Sequence, residues 1–598
     1  MLFNRRKRAS TNTVSTNKKQ PNAFKDSANA PAKKRIAIIG SGVSGLTCAH
    51  YLVAEHEVTI FEASDYIGGH VNTIDVALQD GKKAKSSKVE NSAIDTGFIV
   101  FNERTYPNFF LLLHELQVPF QATDMSFSVK NIARHFEYNG HTLNTLLSQR
   151  KNVLNPKFWQ FIKDILQFNK HIKQLRQDYD AARAQGQDVS GFTAQTLGDY
   201  LAQKRYGSLF TDNYLLPMVS AIWSASLDDV QDFPLVFFAQ FFDNHGLLDV
   251  VNRPQWFTIK GGSKQYVNKL LPRFVKAGGQ VRVNCPVQSV TRMGADDGDK
   301  VTLTIQDKSR TDDKVEHLVF DDVIFACHAD TALKILADAS TDEAEVLSHF
   351  RFSKNTAVLH TDTQVLPNKP LAWASWNYLI GNETDAKDAL KNDVIDAGKQ
   401  AASKPVLTYH MNILQRLTKK HNYLVTLNPA TVDKGIDDRQ VIKRIDYSHP
   451  IFDKAMIEAQ TQWSRISGSG LHTHFCGAYW FNGFHEDGVR SGLRVCQALG
   501  YDIDIKDEVD PSHLPDSDSA HTPFRYKDLP VKADKQSRTL TKRQVVTATT
   551  NQELVDYVHR LQSAATDSPQ KKKRGLFGRR KAKLHSTKQH STKQHSNE

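Results

Sequence analysis

The stretch that most constrains the fold is "RIAIIGSGVSGL" at 35–46, in which an apolar run leads directly into three glycines spaced Gly-x-Gly-x-x-Gly. Continuous apolar runs of this kind are typical of strands buried on both faces of a parallel sheet. Small and apolar residues at 43–53 suit a helix, and "EVTIFEA" at 57–63 supplies a second strand that ends at an acid. The stretch therefore predicts a βαβ unit and an α/β fold.

The residues of this unit are of the types that hold a dinucleotide. Gly40 allows the tight turn, Gly42 lets a pyrophosphate approach the backbone at a helix N-terminus, and Gly45 permits close packing of helix on strand. Glu62 can accept hydrogen bonds from ribose hydroxyl groups. The predicted contacts in this unit are Gly40, Gly42, Val43, Ser44, Gly45 and Glu62.

The net charge of +12 belongs to the two ends of the chain. Residues 1–35 carry ten Lys and Arg against one acid, and residues 563–598 carry ten against two, which leaves the part between them at −5. We expect disordered basic tails at 1–34 and 563–598, because they offer little apolar content to fold around. Such tails would attract an anionic membrane surface, and a merely solubilising role is an equal alternative. Nucleic acid is the less favoured partner.

The cysteine pattern and the apolar stretches bear on location. The five cysteines are widely spaced and contain no Cys-x-x-Cys pair, so we expect neither a zinc site nor a redox dithiol, and a reducing cytoplasm. The apolar stretches "NFFLLLHELQVPF" and "DFPLVFFAQFF" are too short and too interrupted to span a bilayer. The expected location is cytoplasmic, with a peripheral position at the inner face of the membrane if the tails bind lipid. An organellar transit peptide is the alternative interpretation of the Arg-rich and Ser-rich start.

Motifs further along the chain indicate which dinucleotide is bound. They are "DYIGGHVNT" at 65–73, "AIDTGFIVFNERTYPN" at 93–108, a Gly-Gly segment at 257–292, the strand "FDDVIFACHAD" at 320–330, and "HFCGAYWFNGFHEDGVRSGLRVCQALG" at 474–500. In this order they resemble the glycine pair, the flavin loop, the Gly-Gly segment, the returning strand and the closing motif of the FAD-dependent amine oxidase family. The resemblance implies FAD, held noncovalently because Cys476 lacks the Gly-Gly-Cys-Tyr setting of a covalent flavin. It adds cofactor contacts at Gly69, His70, Thr96, Gly97, Val287, Gly477, Gly488, Val489 and Ser491.

The resemblance also implies a domain organisation. A discontinuous Rossmann-type FAD-binding domain is expected at 35–105, 255–335 and 470–504. A mixed α+β substrate domain with a helical cap is expected at 106–254 and 336–469. The acidic, Pro-containing segment at 505–540 predicts a linker. Residues 541–562 are predicted to contain an amphipathic helix, because Leu554, Val555, Val558 and Leu561 recur at helical spacing.

A narrower resemblance bears on the substrate. The run from Arg35 to Gly500 looks like a bacterial group of predicted NAD/FAD-binding amine-oxidase-like proteins, and it is similar to the N-terminal half of plant cyclopropane fatty acid synthases. In that bacterial group the gene often sits beside a cyclopropane fatty acyl phospholipid synthase. The resemblance thus implies oxidation or desaturation of a modified acyl chain. The alternatives are an amine oxidase acting on a small amine and a flavin-containing scaffold recruited by its tails.

The closing motif contains the candidate catalytic residues. Tyr479 could form an aromatic wall beside the flavin, and His485 or Glu486 could remove a proton from the substrate. Packing is the commoner role for aromatic and histidine side chains at such positions. Well-characterised family members often carry an acid or a Thr-Glu pair after the glycine that corresponds to Gly477, whereas Ala478 and Tyr479 follow here, so their chemistry does not transfer directly. The electron acceptor is left open.

Overall fold

A computed structural model describes the chain at 33–79, 89–249, 253–294, 300–308, 315–381, 406–429, 435–468, 470–510, 513–514, 529 and 544–566. The predicted disordered tails lie outside these ranges, except for residues 33–34 and 563–566 at their inner ends. No helix in the described ranges has the length and apolarity needed to cross a membrane. The fold is mixed α/β, as the sequence predicts.

Strands come from almost the whole length of the chain. In chain order they are β1 (Arg35–Ile39), β2 (Glu57–Phe61), β3 (Thr73–Gln79), β4 (Val89–Asp95), β5 (Phe101–Asn102), β6 (Phe120–Thr123), β7 (Phe127–Asn131), β8 (Phe136–Asn139), β9 (Trp256–Ile259), β10 (Gln280–Arg282), β11 (Val287–Arg292), β12 (Val301–Gln306), β13 (Val315–Phe320), β14 (Asp322–Phe325), β15 (Phe352–His360), β16 (Trp376–Ile380), β17 (Val406–His410), β18 (Leu424–Leu427), β19 (Val441–Pro450), β20 (Thr473–Phe475) and β21 (Gln544–Thr550).

The α-helices of seven or more residues are numbered separately. They are α1 (Val43–Leu52), α2 (Pro107–Glu115), α3 (Pro156–Ala184), α4 (Leu197–Lys204), α5 (Leu216–Trp223), α6 (Leu235–Asn244), α7 (Lys264–Lys276), α8 (Ala329–Ile335), α9 (Thr341–Ser348), α10 (Lys454–Gln460), α11 (His485–Ala498) and α12 (Gln552–Thr566).

A five-stranded parallel sheet in the order β10-β2-β1-β14-β20 carries the glycine turn. Alternate residues of β1 enter two different hydrophobic clusters: Ile36 and Ile38 join one, whereas Ala37 and Ile39 join the other. The first cluster includes α1, α7 and α11, and the second includes the antiparallel strands β11 to β13. Since both faces are covered, the apolar run at 36–39 is the strand that the sequence predicts.

A second, larger sheet forms the other half of the molecule. Its seven strands run in the order β19-β15-β18-β17-β16-β7-β8, and they are antiparallel except for β16 and β7. The helices between 143 and 244 pack beside it through aromatic side chains such as Phe161, Phe168 and Phe210. We call these helices the cap.

The C-terminal part of the described chain corrects the predicted helix at 541–562. Residues 544–550 form strand β21, which pairs antiparallel with β3, and the helix runs from Gln552 to Thr566. The sequence did not predict this strand, because its pairing partner is residues 74–79, almost five hundred residues earlier in the chain. The helical spacing was correct: Leu554, Val555 and Val558 are buried against the cluster that contains α7.

The predicted linker at 505–540 is also corrected at its start. Ile505, Val509 and Leu514 are half-buried against the core. Leu529 is buried in a separate small cluster that includes Trp373 and Leu424. The backbone of Lys506 exchanges two hydrogen bonds with the side chain of Asn108. The apolar residues that alternate with acids in this segment therefore bind it to the body. The remainder of the predicted linker lies outside the described residues.

We expect Val558→Asp to undock α12. Val558 is buried, so an aspartate there would be an unpaired charge in an apolar contact, and about 3 kcal/mol of stability should be lost. The measurement is the thermal midpoint together with the rate of tryptic cleavage after residue 500. Tyr557→Asp, on the exposed side of the same helix, is the matched control and should behave as wild type. Equal effects of the two changes would contradict a docked helix.

Candidate functional site

The glycine turn at 40–45 is where the predicted cofactor segments meet. A Cβ on Gly40 would lie 2.7 Å from the carbonyl oxygen of Ala326, and one on Gly45 would lie 2.2 Å from that of Gly40. These two glycines are therefore required by the packing of the protein itself. A Cβ on Gly69 would lie 3.2 Å from the Cα of Gly42, so the two glycine segments predicted to face phosphate lie side by side.

Gly42 differs from its neighbours because no described atom would contact its Cβ within 4 Å. It has φ −64°, which any residue adopts, so neither space nor backbone conformation in the protein explains the glycine. Gly42 is the N-cap of α1, and this helix has no side-chain cap and no acid in its first turn. Its first N–H groups, at Val43 and Ser44, can therefore bind an anion.

Glu62 lies at the end of β2, where it organises the same turn. One carboxylate oxygen accepts from the Ser41 hydroxyl at 2.6 Å and from the Ser41 N–H at 3.0 Å. Among the described residues, the other oxygen accepts from the Ser64 N–H alone, at 2.9 Å, and has a lone pair for a further donor. Val287 is half-buried at the start of β11, two residues after Cys285, whose N–H donates to the Glu62 carbonyl at 2.8 Å. Glu62 and Val287 are thus close in the fold.

The loop at 95–98 packs on the second glycine segment. A Cβ on Gly97 would lie 2.3 Å from the carbonyl oxygen of His70, and the Phe98 N–H donates to that oxygen at 2.8 Å. The Thr96 hydroxyl donates to the Asn72 carbonyl at 2.8 Å and lies 2.9 Å from the Tyr447 hydroxyl. Thr96 and Gly97 therefore form one wall with His70.

His70 has a buried ring nitrogen that can form a hydrogen bond with a ligand. Its ring stacks on Tyr447 at 4.9 Å and lies 5.5 Å from His449, and its buried Nε2 has no hydrogen-bond partner among the described residues. Burial lowers the pKa of His70 well below its usual value, and the neighbouring histidines add to the effect, so the ring is neutral. A buried polar atom without a partner is costly unless a ligand supplies the bond.

The closing motif is joined to the glycine turn by its helix. The Gly477 N–H donates to the Ser491 hydroxyl at 2.9 Å, which links the end of β20 to α11. A Cβ on Gly488 would lie 2.4 Å from the side chain of Val43. Val489 is buried in the core cluster. Gly488 and Val489 therefore pack α11 against α1 and the core, and the cofactor contact that the resemblance implies for them stays a prediction.

His485 is held as a packing residue. Its ring stacks on Phe98 with centroids 3.7 Å apart and an interplanar angle of 11°, and its Nε2 lies 2.9 Å from the Tyr266 hydroxyl. Burial lowers the pKa of His485 to about 3, so it is neutral and a weak base. These contacts do not support the predicted role as a catalytic base.

Glu486 also has a role other than the predicted one. One carboxylate oxygen accepts from the side-chain and backbone N–H groups of Asn108, at 2.6 and 3.1 Å, and the other accepts from the Phe109 N–H at 2.8 Å. These backbone groups belong to the first turn of α2, whose N–H groups have no intrahelical partner. Glu486 thus caps α2 and ties it to α11.

Tyr479 follows the glycine of the closing motif as predicted, with its ring covering that glycine. A Cβ on Gly477 would lie 2.3 Å from the Tyr479 ring, and Phe350 and Phe352 contact the ring edge-on. Burial raises the pKa of the Tyr479 hydroxyl well above its usual value, so the phenol stays protonated. Tyr479 therefore lacks the properties of a base, and its place as an aromatic wall beside the flavin stays a prediction.

A largely buried aromatic cluster, which we call the aromatic surface, connects the closing motif to the cap, and only its Phe237 and Phe484 are partly exposed. Phe484, the residue before α11, stacks on Phe241 with centroids 4.9 Å apart, and Phe452 stacks on Phe237 at 5.4 Å. Trp223 contacts all four of these rings, and its Nε1 donates to the carbonyl of residue 482 at 3.3 Å. Sequence reasoning missed Phe484, because its significance depends on cap residues about 250 positions earlier.

A cavity of about 310 Å³ lies beside this surface. Its lining includes Phe484 and His245 together with charged side chains of both signs, among them Arg104, Asp487 and Arg490. Burial raises the pKa of Asp487 to about 7 and lowers that of His245 to about 4. Asp487 was also missed by the sequence analysis, although it adjoins the predicted Glu486.

Comparison with known families gives one extended match. The model of a family described as flavin containing amine oxidoreductase matches residues 43–391. Among curated proteins, L-amino-acid oxidases from Pseudechis australis and Sistrurus catenatus edwardsii are 49% and 51% identical over 41 residues, which is 7% of this chain and 8% of each relative. The chain thus matches only a small part of the length of these relatives.

Solved structures match over most of the described body. A CLA-producing fatty acid isomerase from P. acnes aligns with TM-score 0.50 and 14% identity, covering 78% of this chain and 98% of that one. A double mutant of putrescine oxidase aligns with TM-score 0.50 and 13% identity, covering 78% and 99%. At this level of identity the likeness concerns the fold alone.

Proposed function

The chain belongs to the flavin-containing amine oxidoreductase family and is an FAD-dependent oxidoreductase, and on this premise we propose that it oxidises an acyl chain of a lipid. The reaction is removal of two hydrogens from adjacent carbons, as in desaturation of a modified fatty acyl group. The observation that carries the proposal is the aromatic surface from Phe484 to the cap, which suits an apolar chain.

Several residues fit FAD on features of the site itself. The open space at Gly42 and the uncapped start of α1 suit the pyrophosphate, Glu62 suits a ribose, and the orphaned Nε2 of His70 suits a polar group farther along the cofactor. We propose noncovalent binding. In the proposed reaction FAD supplies a two-electron acceptor, so that one substrate hydrogen leaves as hydride, the other leaves as a proton, and a carbon–carbon double bond remains.

The protein contributes orientation, exclusion of water and a proton acceptor. Phe484, which lines the cavity, would contact the chain and keep water from it, and the buried Phe241 and Trp223 would hold the Phe484 ring in place. Asp487 would accept the proton, because it lines the cavity beside Phe484, its Oδ2 is held there by the Phe484 N–H at 2.8 Å, and burial raises its pKa to about 7. The basic groups Arg104 and Arg490 on the same cavity would face the polar end of the lipid.

Two sequence features support a lipid substrate at a membrane. The narrower resemblance includes the N-terminal half of plant cyclopropane fatty acid synthases, and the basic segments at 1–34 and 563–598 would draw the protein to an anionic surface. We therefore propose a peripheral position at the inner face of the membrane. The fold is compatible with a lipid substrate and with an amine substrate, since the two structures named above are a fatty acid isomerase and a putrescine oxidase.

The test is anaerobic titration of the purified, FAD-loaded protein. Phospholipid vesicles made from the lipid extract of the host should bleach the visible flavin absorbance, whereas putrescine and benzylamine should not. Phe484→Ser should slow bleaching at least about tenfold, because a polar side chain disrupts the aromatic surface, and Phe484→Leu should retain most of the rate. Asp487→Asn should remove the dependence of the rate on pH near 7.

Two results would favour one of the alternative functions, an amine oxidase or a scaffold, over a lipid oxidase. Bleaching by an amine and not by lipid would identify an amine oxidase. Bleaching by neither, together with loss of cellular location on deletion of both tails, would favour the scaffold interpretation.

A further inference from the structure

Residues 143–170 of the cap present an apolar and basic surface that no other described part of the chain covers. Eight large apolar side chains are exposed in the described part of the chain, and five of them lie between 143 and 166. They are Leu143, Val153, Leu154, Trp159 and Leu166. Single exposed apolar residues are ordinary, but a cluster marks an interaction site. We call the exposed side chains of 143–170 the cap patch, and we propose that it inserts into the surface of an anionic lipid bilayer.

The α3 part of the patch is one stripe along the helix. Trp159 and Leu166 are seven residues apart, and Lys163 and Lys170 follow each of them by four, so all four side chains share one face. Trp159 and Leu166 are 53% and 52% exposed, and both lysines are exposed. The opposite face buries Phe158, Phe161 and Phe168 in the cap core. The helix therefore has apolar residues on both sides, and the described residues cover only one of them.

A hydrogen bond joins this stripe to the turn that precedes it. The Trp159 Nε1 donates to the carbonyl of Val153 at 2.9 Å, which places the indole beside Val153 and Leu154. Leu154 is 88% exposed and lies just before the first turn of α3. Because its N–H is already bonded, the indole can enter an apolar medium without leaving a donor unpaired. Val153, Leu154 and Trp159 are thus neighbours at the start of α3, and burial of this group leaves the indole N–H paired.

The charge of the patch complements an anionic surface. Its exposed cations are Arg150, Lys151, Lys157, Lys163 and Lys170, and the one carboxylate between 141 and 170, Asp164, is buried. The part of the chain between the tails has a net charge of −5, so this positive region is a local feature. Long lysine stems beside Trp and Leu are typical of side chains that reach the headgroups while the apolar residues enter the acyl region.

The same charges argue against a second copy of this chain as the occupant. A symmetric dimer brings identical patches together, so five cations of one copy would face five of the other. Anionic lipid removes this repulsion and also buries the apolar residues. The patch therefore fits a bilayer better than it fits itself, and the inference stands independently of which substrate the flavin site takes.

The test is flotation of the FAD-loaded full chain with vesicles of phosphatidylcholine, with and without phosphatidylglycerol. Salt of roughly 0.5 M shortens the screening length to about 4 Å and suppresses the attraction of the tails, so that insertion of the apolar residues dominates what remains. Wild type should still float with the anionic vesicles. The double variant Leu154→Glu/Trp159→Glu should lose at least about tenfold in partitioning, because two apolar anchors become charged.

Val315→Glu is the matched control, since Val315 is exposed to a similar degree outside the patch and should be replaceable without effect. Brominated lipid should quench tryptophan emission in wild type and less so in Trp159→Phe. Equal flotation of wild type and double variant would overturn the proposal, as would failure of wild type to float. Conversion of a dimer to a monomer by the double variant, without lipid binding, would assign the patch to self-association instead.

Discussion

We expect Gly42→Val to yield a protein that folds as wild type but is purified without flavin. The structure leaves the Cβ position of Gly42 open, and its φ of −64° suits any residue, so the fold should tolerate the change. A valine side chain would occupy the space through which a pyrophosphate reaches the N–H groups at the start of α1. Losing these charge-assisted bonds should weaken FAD binding by about 3 kcal/mol or more, at least about 100-fold.

The measurement is flavin absorbance per protein, followed by titration of the apoprotein with FAD, and circular dichroism to check folding. Gly191→Val is the matched control, because its Cβ also meets no described atom but it lies in a short helix of the cap. Gly45→Val should give the opposite pattern, with loss of the fold itself, since its Cβ would lie 2.2 Å from a backbone oxygen. Wild-type flavin content in Gly42→Val would refute the assignment of this turn to the cofactor.

Glu486→Ala should destabilise the protein by about 3 kcal/mol or more, which is the cost expected when buried donors lose their acceptor. The change leaves the N–H groups of Asn108 and Phe109 without their side-chain acceptor, and both residues are buried. Denaturant unfolding of the FAD-loaded protein measures the loss. Glu486→Gln retains one carbonyl acceptor and should cost less than half as much. A loss of activity in Glu486→Ala with unchanged stability would restore the catalytic interpretation of this carboxyl.

The pH dependence gives a second check on Glu486. Burial raises the pKa of Glu486 to about 7, above the ordinary 4.5, so the folded protein holds a proton that the unfolded chain releases. The stabilisation from this proton is complete below pH 4.5 and is lost as the pH rises through 7. Glu486→Gln should therefore reduce the fall in stability between pH 5 and 8. Some fall should remain, because burial also raises the pKa of Asp487 to about 7.

The sequence was informative where function depends on neighbours along the chain. The apolar run, the glycine spacing and the acid at 62 lie within 28 residues, and local sterics require a strand, a tight turn and a helix there. The structure places these elements as predicted. The helical spacing of Leu554, Val555 and Val558 was equally readable, because periodicity reports which face is buried.

The roles of the side chains in the closing motif could not be predicted from neighbouring residues in the sequence. Glu486 has the residue type of a base, yet its oxygens accept hydrogen bonds from the start of α2. One of these donors, Asn108, lies 378 positions earlier in the chain. His485 is neutral because Phe98 and Tyr266 enclose it. Such assignments depend on desolvation and on partners that only the folded chain supplies.

The sequence by itself thus determined the α/β class and the strand, glycine turn and helix at 35–52, because glycine sterics and apolar periodicity act over a few residues. The tertiary structure decided which acids are caps, which glycines serve helix packing, that β21 completes a sheet with β3, and that Phe484 belongs to an aromatic surface with the cap. These features arise from contacts between segments hundreds of residues apart, where burial and geometry set each group's partner and protonation.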